Sequence, residues 1–346
     1  MLKTMSLFAG GGIGETYLHD IGIETVVANE LLPDRAKIYS YRFPSTDMVV
    51  GDIKLKKEEL IKKAKENKID LLIATPPCQG MSQLGQRRYN EDQRNYLIFD
   101  VLDIIDALLV DYIFIENVPQ FFSMYYPYQN EVHSLMEILE DKYSDMYNIV
   151  AGVYNAADYG VPQRRRRAII RLFKKNLAWA DPQKANKHIT LREAIGHLPS
   201  IEAGEDSGIK YHIGPPCAKR HIEFLRHTPS GQSAHDNPVY YPKKDNGDKI
   251  KGYHNTYKRL EWDAICPTRT MYSHSVSGSN NCHPGRLLPD GTYSDARTLS
   301  LLELLIVSSL PQNIDLPDWA TEKSIREIIG EGVPPLMSKA FLQQIV

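Results

Sequence analysis

Four stretches of this chain carry residue types that could do chemistry together. Cys78 stands in Ala74-Thr75-Pro76-Pro77-Cys78-Gln79-Gly80-Met81-Ser82. The two prolines fix the backbone ahead of it, and the Gly-Met-Ser tail frees it behind, so the thiol has the form of a presented nucleophile. A half-buried structural cysteine would look the same in isolation; its partners decide. Glu116 opens Glu116-Asn117-Val118-Pro119, and a shielded glutamate with a raised pKa can donate a proton or hydrogen bond to a heterocycle. In Gln163-Arg164-Arg165-Arg166-Arg167 an extended chain would turn Arg165 and Arg167 to one side and Arg164 and Arg166 to the other. Such a row suits phosphate or carbonyl recognition. Phe8-Ala9-Gly10-Gly11-Gly12-Ile13-Gly14 is a glycine loop that lets backbone approach a nucleotide-like cofactor. Glu30, about twenty positions further on, is placed for ribose hydroxyls. Asp52-Ile53 puts a second acid at a strand end. Either acid could be a helix cap; beside the glycine loop, adenosine binding is the favoured reading.

The elements that must position these groups alternate in type. Apolar runs predict strands at 4–8, 24–28, 47–50, 70–73, 111–115 and 147–154. Helical periodicity is expected at 15–20, 54–68, 95–110, 132–143 and about 335–344. Strand–helix alternation points to an α/β sheet, and in open α/β sheets ligands bind at the carboxyl ends of the strands. The cysteine, the acids and the glycine loop all follow strands. The lysine-rich 54–68 reads as a solvated helix face. The polar loop Gln79 to Arg94, with Gly80, Gly85, Arg87 and Arg88, has the composition of a lid or phosphate-contacting loop.

Composition narrows the class. The chain has 346 residues, with Lys+Arg 41 against Asp+Glu 43. That balance excludes a generally basic coat protein but permits a locally basic face. From Asp181 to Lys258 twelve Lys/Arg meet nine Asp/Glu, and seven of the eleven histidines fall there. The four cysteines are far apart with no CxxC pair, which predicts neither a zinc site nor a disulfide framework. No signal peptide, membrane-length run or internal repeat is read, and a soluble, intracellular protein is expected.

Together these stretches resemble the cytosine-C5 methyltransferase family. Phe8-Ala9-Gly10, Pro76-Pro77-Cys78-Gln79, Glu116-Asn117-Val118 and Gln163-Arg164-Arg165-Arg166-Arg167 follow that family's order and spacing. The resemblance covers about residues 4 to 172 and the chain's end. There Arg297-Thr298-Leu299-Ser300 with Glu303, Leu310 and Pro311 looks like the penultimate motif region, and Gly330-Glu331-Gly332-Val333-Pro334-Pro335 looks like the last motif. Three positions depart from the family: Ile13 stands for the second glycine of a pair, Leu31 for an aromatic residue, and Glu331 for an asparagine.

The resemblance implies a Rossmann-like S-adenosylmethionine-dependent methyltransferase fold, with a mixed, mostly parallel sheet, helices on both faces and a smaller target-recognition domain. It implies a catalytic domain at 1–180, target recognition at 181–290, and a segment at 291–346 returning to the catalytic domain. Cys78 would be the nucleophile and Glu116, with Asn117, would hold the cytosine ring edge. Arg165 would steady the cytosine carbonyl, supported by Arg167. S-adenosylmethionine, leaving as S-adenosylhomocysteine, would lie against Phe8, Ala9, Gly10, Gly11, Gly12, Ile13, Glu30, Leu31, Asp52, Ile53, Pro76, Leu97, Glu331 and Val333. No metal is implied. The partner is double-stranded DNA, with the target base flipped out and contacts from Gln79, Ser82, Arg87, Arg88, Arg94, Lys219, Arg220, Lys251, Lys258 and Arg269, together with Arg226, His254 and Tyr257. A cognate restriction endonuclease in the same system and a prokaryotic cytoplasmic location go with that role. A tRNA-directed relative is the alternative; such members share a Cys-Phe-Thr tripeptide in the insert, which this chain lacks. A catalytically silent DNA-binding protein would have lost Cys78 or Glu116, and both are present.

Overall fold

The computed structural model describes residues 1–77, 92–244 and 246–345. Its centre is a seven-stranded sheet built from β1 (Leu2–Leu7), β2 (Ile23–Glu30), β3 (Asp47–Val50), β4 (Leu71–Ala74), β5 (Tyr112–Asn117), β8 (Tyr147–Asn155) and β10 (Arg166–Lys174). The order is β3-β2-β1-β4-β5-β10-β8. The first five strands pair in parallel, and β10 runs antiparallel to both β5 and β8. The sheet is therefore mixed and mostly parallel, as expected. β4 and β5 are buried along their whole lengths, which is why they read as continuous apolar runs rather than alternating ones.

Helices α1 (Pro33–Arg42), α2 (Ile53–Asn67), α3 (Leu97–Leu108) and α4 (Leu135–Tyr143) link these strands, and a small hairpin of β6 (Tyr125–Tyr128) and β7 (Glu131–Ser134) precedes α4. Asp52 caps α2 by accepting from the Lys54 amide, and Ser134 with Glu137 closes a capping box on α4. Two expectations change here. The helix expected from 132 begins at Leu135, because residues 131–134 pair with β6 and the Ser134 cap fixes the start. The helix expected at 15–20 is a series of turns with i→i−3 bonds, such as Thr16 to Ile13 and Leu18 to Glu15, and only His19–Ile21 is a 3-10 turn. Gly10 and Gly12 hold positive φ just before it, and the tight glycine path leads into turns rather than an α-helix.

The chain divides into two compact units. The first holds 1–156, 166–183 and 337–346, thus the sheet and most of α9 (Pro335–Leu342). In it Phe341 packs on Phe114 and Tyr154, and its carbonyl accepts from Trp179 Nε1 at 2.9 Å. The second holds 157–165 and 184–336. It contains β9 (Gln163–Arg164) paired with β11 (Cys266–Pro267), and the helices α5 (Leu191–Ile195), α6 (Lys219–Arg226), α7 (Leu301–Val307) and α8 (Glu322–Glu331).

With so little regular structure, the second unit leaves many backbone carbonyls to be satisfied by side chains. Buried arginines do this. Arg259 donates to the carbonyls of Leu225, His283, Ser294 and Asp295. Arg297 sits between Asp295 (2.8 Å) and Glu303 (2.7 Å), both fully buried, with His283 at 3.4 Å from Glu303.

Candidate active site

The strand order reverses at β1 and β4, so the loops leaving their carboxyl ends diverge there and open a crevice. Leu7 pairs with Ala74, and Ala74 with Ile115. The glycine loop, the Thr75–Pro77 exit and the Glu116–Asn117 tip are therefore neighbours by register. Side chains fasten them. Thr75 Oγ1 donates to the Phe8 carbonyl at 3.1 Å, and Asn117 Nδ2 donates to the Pro76 carbonyl at 3.1 Å. Phe8 itself holds φ of +59°, an uncommon conformation for a residue with a side chain. Cys78, Gln79, Ser82, Arg87 and Arg88 lie outside the described residues, but the segment entering Cys78 is pinned to both neighbouring strand ends.

Glu116 is 7 % exposed, and its Oε1 lies 2.7 Å from Arg167 Nε. The strand register puts Ile169 opposite Glu116, which brings Arg167 to the same tip. Arg165 has different partners. In the second unit its guanidinium donates to the carbonyls of Arg269 (2.8 Å), Gly330 (2.9 Å) and Glu331 (3.0 Å). Gln163 beside it donates to the Val307 carbonyl and accepts from the Arg269 amide. The expected alternation along the arginine row holds: Arg164 and Arg166 are exposed and Arg165 is buried.

The glycine loop is held from below. Glu30 accepts from the Gly10 amide at 2.8 Å and, through its other oxygen, from the Leu32 amide at 2.8 Å. Each oxygen keeps a further lone pair for another donor. The amides of Gly11, Ile13 and Gly14 have no hydrogen-bond partner among the described residues. A row of open amides on a glycine loop is an anion-binding arrangement. Ile13, standing where a glycine was expected, is buried. Leu31 is largely exposed, Ile53 turns into the core, and Leu97 packs at that core's edge. Glu331 is exposed and Val333 buried in the second unit.

Reading the sequence alone missed the groups beneath this loop. Glu15 is buried and accepts from Ser6 Oγ at 2.7 Å, from Thr25 Oγ1 at 2.9 Å and from the Tyr39 hydroxyl. Burial pushes the Glu15 carboxyl pKa up, against its hydrogen bonds and the charge of Arg42. The signal was present as Ser6 and Thr25, two hydroxyl residues buried within β1 and β2.

The proposed DNA contacts divide. Lys219, Arg220, Arg226, Lys251 and His254 are exposed, and Lys258 is half-buried. Arg94 is exposed and paired with Asp92 at 2.6 Å. Two expectations fail as surface contacts. Arg269 is only 1 % exposed, because its Nε is turned back onto the Pro267 carbonyl and its amide is bound by Gln163. Tyr257 is buried in an apolar cluster with Phe224, Leu225 and Cys282. Among the described residues no cluster of His, Cys, Asp and Glu is arranged to hold a metal ion, and no helix is long and apolar enough to cross a membrane.

The chain is 46% identical to Type II methyltransferase M1.HgaI of Avibacterium volantium over 99% of this chain and 97% of that one. It is 26% identical to Type II methyltransferase M1.HphI of Haemophilus parahaemolyticus, covering 100% and 87%. Among solved structures, a DNA modification methyltransferase encoded within an E. coli prophage shares the fold with a TM-score of 0.71 at 20% identity, covering 99% and 98%. Spodoptera frugiperda DNMT2 shares it with a TM-score of 0.65 at 17% identity, covering 100% and 99%. Residues 2–346 match the family described as C-5 cytosine-specific DNA methylase, and the chain belongs to that family of DNA cytosine-5 methyltransferases.

Proposed function

We propose that this enzyme transfers a methyl group from S-adenosylmethionine to C5 of a cytosine flipped out of a specific duplex site, through a covalent bond between Cys78 and C6. The observation that carries the reading is the joining of three strand ends: Asn117 on the Pro76 carbonyl, Thr75 on the Phe8 carbonyl, and Glu116 beside Arg167. One crevice then serves nucleophile, ring edge and cofactor.

C5 of cytosine is a weak nucleophile. Addition of the Cys78 thiolate to C6 makes C5 an enamine carbon, and later loss of the C5 proton restores the ring and expels the thiolate. Glu116, as the acid, would donate to N3 and accept from the exocyclic amine through its other oxygen, stabilising charge as the thiolate adds. Arg167 orients that carboxyl group. It would also take the cytosine carbonyl, with Arg165, whose Nη atoms donate to backbone carbonyls in the second unit, supporting the arginine row. Asn117 would set the height of the Pro76–Cys78 segment.

S-adenosylmethionine supplies an electrophilic methyl group. The residues fit it: the open amides of Gly11, Ile13 and Gly14 suit its carboxylate, and Glu30 its ribose. Phe8, Asp52 and Leu97 would line the adenine.

Residues 181–290 would read the DNA, with Lys219, Arg220, Lys251 and Lys258 on phosphates or base edges. The names of the relatives favour a modification enzyme of a restriction-modification system, working in a prokaryotic cytoplasm beside a separately folded endonuclease. The test uses a pool of random duplexes carrying 5-fluorocytosine, in which C5 has no proton to lose. A covalent complex that survives denaturation, forms with the wild type plus S-adenosylmethionine and is absent in Cys78→Ser is expected. Equal trapping by both proteins, or trapping on tRNA alone, contradicts the proposal.

A further inference from the structure

We propose that Arg42, at the end of α1, is a positioning residue that sets the cofactor affinity of this enzyme by fixing the peptide between Gly11 and Gly12. The inference rests on the reading that the glycine loop holds S-adenosylmethionine.

The peptide is held at both ends. Arg42 Nη1 donates to the Gly11 carbonyl at 2.6 Å, and the Gly12 amide donates to the Ala9 carbonyl at 2.9 Å. Arg42 Nη2 reaches Thr16 Oγ1 at 2.9 Å, on the far side of the loop. The plane of that one peptide is thus determined by a side chain from the last turn of α1. Its two neighbours in the loop leave the amides of Gly11 and Ile13 open. If the Gly11 carbonyl swung around, a negative dipole would join the open amides and oppose an anionic ligand group. A fixed dipole costs nothing to reorganise when the ligand arrives.

The anchor beneath is charged and enclosed. The Glu15 carboxylate gathers Ser6, Thr25 and Tyr39 hydroxyls, and its charge faces the Arg42 guanidinium. Arg42 also lies over the Phe43 ring, 5.0 Å from its centroid. The same helix end presses on the loop directly. A Cβ at Gly12 would meet the Phe43 ring at 2.4 Å and Tyr39 at 3.0 Å, and Gly12 holds φ of +70°. Neither Arg42 nor Glu15 is among the residues assigned to touch cofactor or DNA, so their effect must pass through the loop.

The experiment measures steady-state KM for S-adenosylmethionine, KM for DNA and kcat, with calorimetric binding of S-adenosylhomocysteine, for wild type, Arg42→Met, Arg42→Lys and Glu15→Gln. Glu30→Gln serves as a variant of the cofactor contact itself. Arg42→Met is expected to raise KM for S-adenosylmethionine and weaken S-adenosylhomocysteine binding at least tenfold, with kcat and KM for DNA within about twofold. Arg42→Lys, which keeps a donor, should recover part of the loss, and Glu15→Gln should fall between. Should Glu30→Gln weaken cofactor binding while both Arg42 variants match wild type, the positioning role is overturned and the loop reading stands. If none of the variants alters cofactor binding, the loop reading falls and the inference with it. An equal decline of kcat and both KM values in Arg42→Met, unrelieved in Arg42→Lys, marks general structural damage and also overturns it.

Discussion

The loop floor of the first unit and the ionic cluster of the second both bury charge, and they use it in opposite ways. Under the glycine loop, Glu15 gathers three hydroxyls and Arg42 donates to the Gly11 carbonyl and Thr16, while the loop above keeps amides open. In the second unit Arg297 spends its guanidinium on Asp295, Glu303 and the carbonyls of Ile201 and Thr298. Nothing there is left for a ligand. A buried charge network that holds a loop open is built for function, and one that closes on itself is built to hold chain segments without secondary structure. The Glu116–Arg167 pair belongs with the first kind, since it ends two strands at the crevice.

The comparison can be broken by removing one partner from each. Glu116→Gln should lower kcat by about 10²–10³-fold while the melting temperature stays near wild type, because it removes charge stabilisation at a strand tip and little packing. Arg297→Met should do the reverse in kind. It removes the guanidinium that two buried carboxylates share, a cost of about 3–5 kcal/mol, and thermal unfolding should show a large fall in melting temperature. Equal effects of the two on kcat and stability would dissolve the distinction.

Acid sharpens it. Burial pushes the His283 pKa down to about 4. Glu303 is lowered to about 2, as burial is outweighed by the charges of His283 and Arg297. Between the unfolded histidine value of about 6.5 and the folded one, the unfolded chain binds more protons, so stability falls as pH falls. Below about 4.5 Glu303 adds to the loss with the same sign. The melting temperature should therefore drop from pH 7 to pH 4, and His283→Gln should flatten the upper part of that drop. A smaller effect is expected at α2: Asp52→Ala removes the cap on the Lys54 amide and should cost about 1 kcal/mol in denaturant unfolding. If Asp52 also lines the adenine, KM for S-adenosylmethionine rises in the same variant.

Much of the first unit was legible from the sequence, because its parallel strands are short apolar runs that end in turn residues. The positions of Glu116, Glu30 and the glycine loop at strand ends followed from those runs alone. What stayed hidden has a common cause. The floor made by Glu15, Tyr39 and Arg42 and the backbone partners of Arg165 depend on contacts between residues far apart in sequence. Arg269 shows the same limit: a basic residue in a polar stretch reads as exposed, yet Gln163 and its own Pro267 carbonyl draw it inside. The second unit has few periodic elements to read, and its buried arginines carry no pattern that separates them from surface ones.

The central claim is methyl transfer to cytosine by way of Cys78. The direct measurement incubates the enzyme and Cys78→Ser with labelled S-adenosylmethionine and unmethylated genomic DNA, with tRNA in parallel, and digests the products to nucleosides. Label recovered from DNA as 5-methylcytosine, and lost in Cys78→Ser, is the predicted result. Retained transfer in the variant, or label confined to tRNA, would contradict the account.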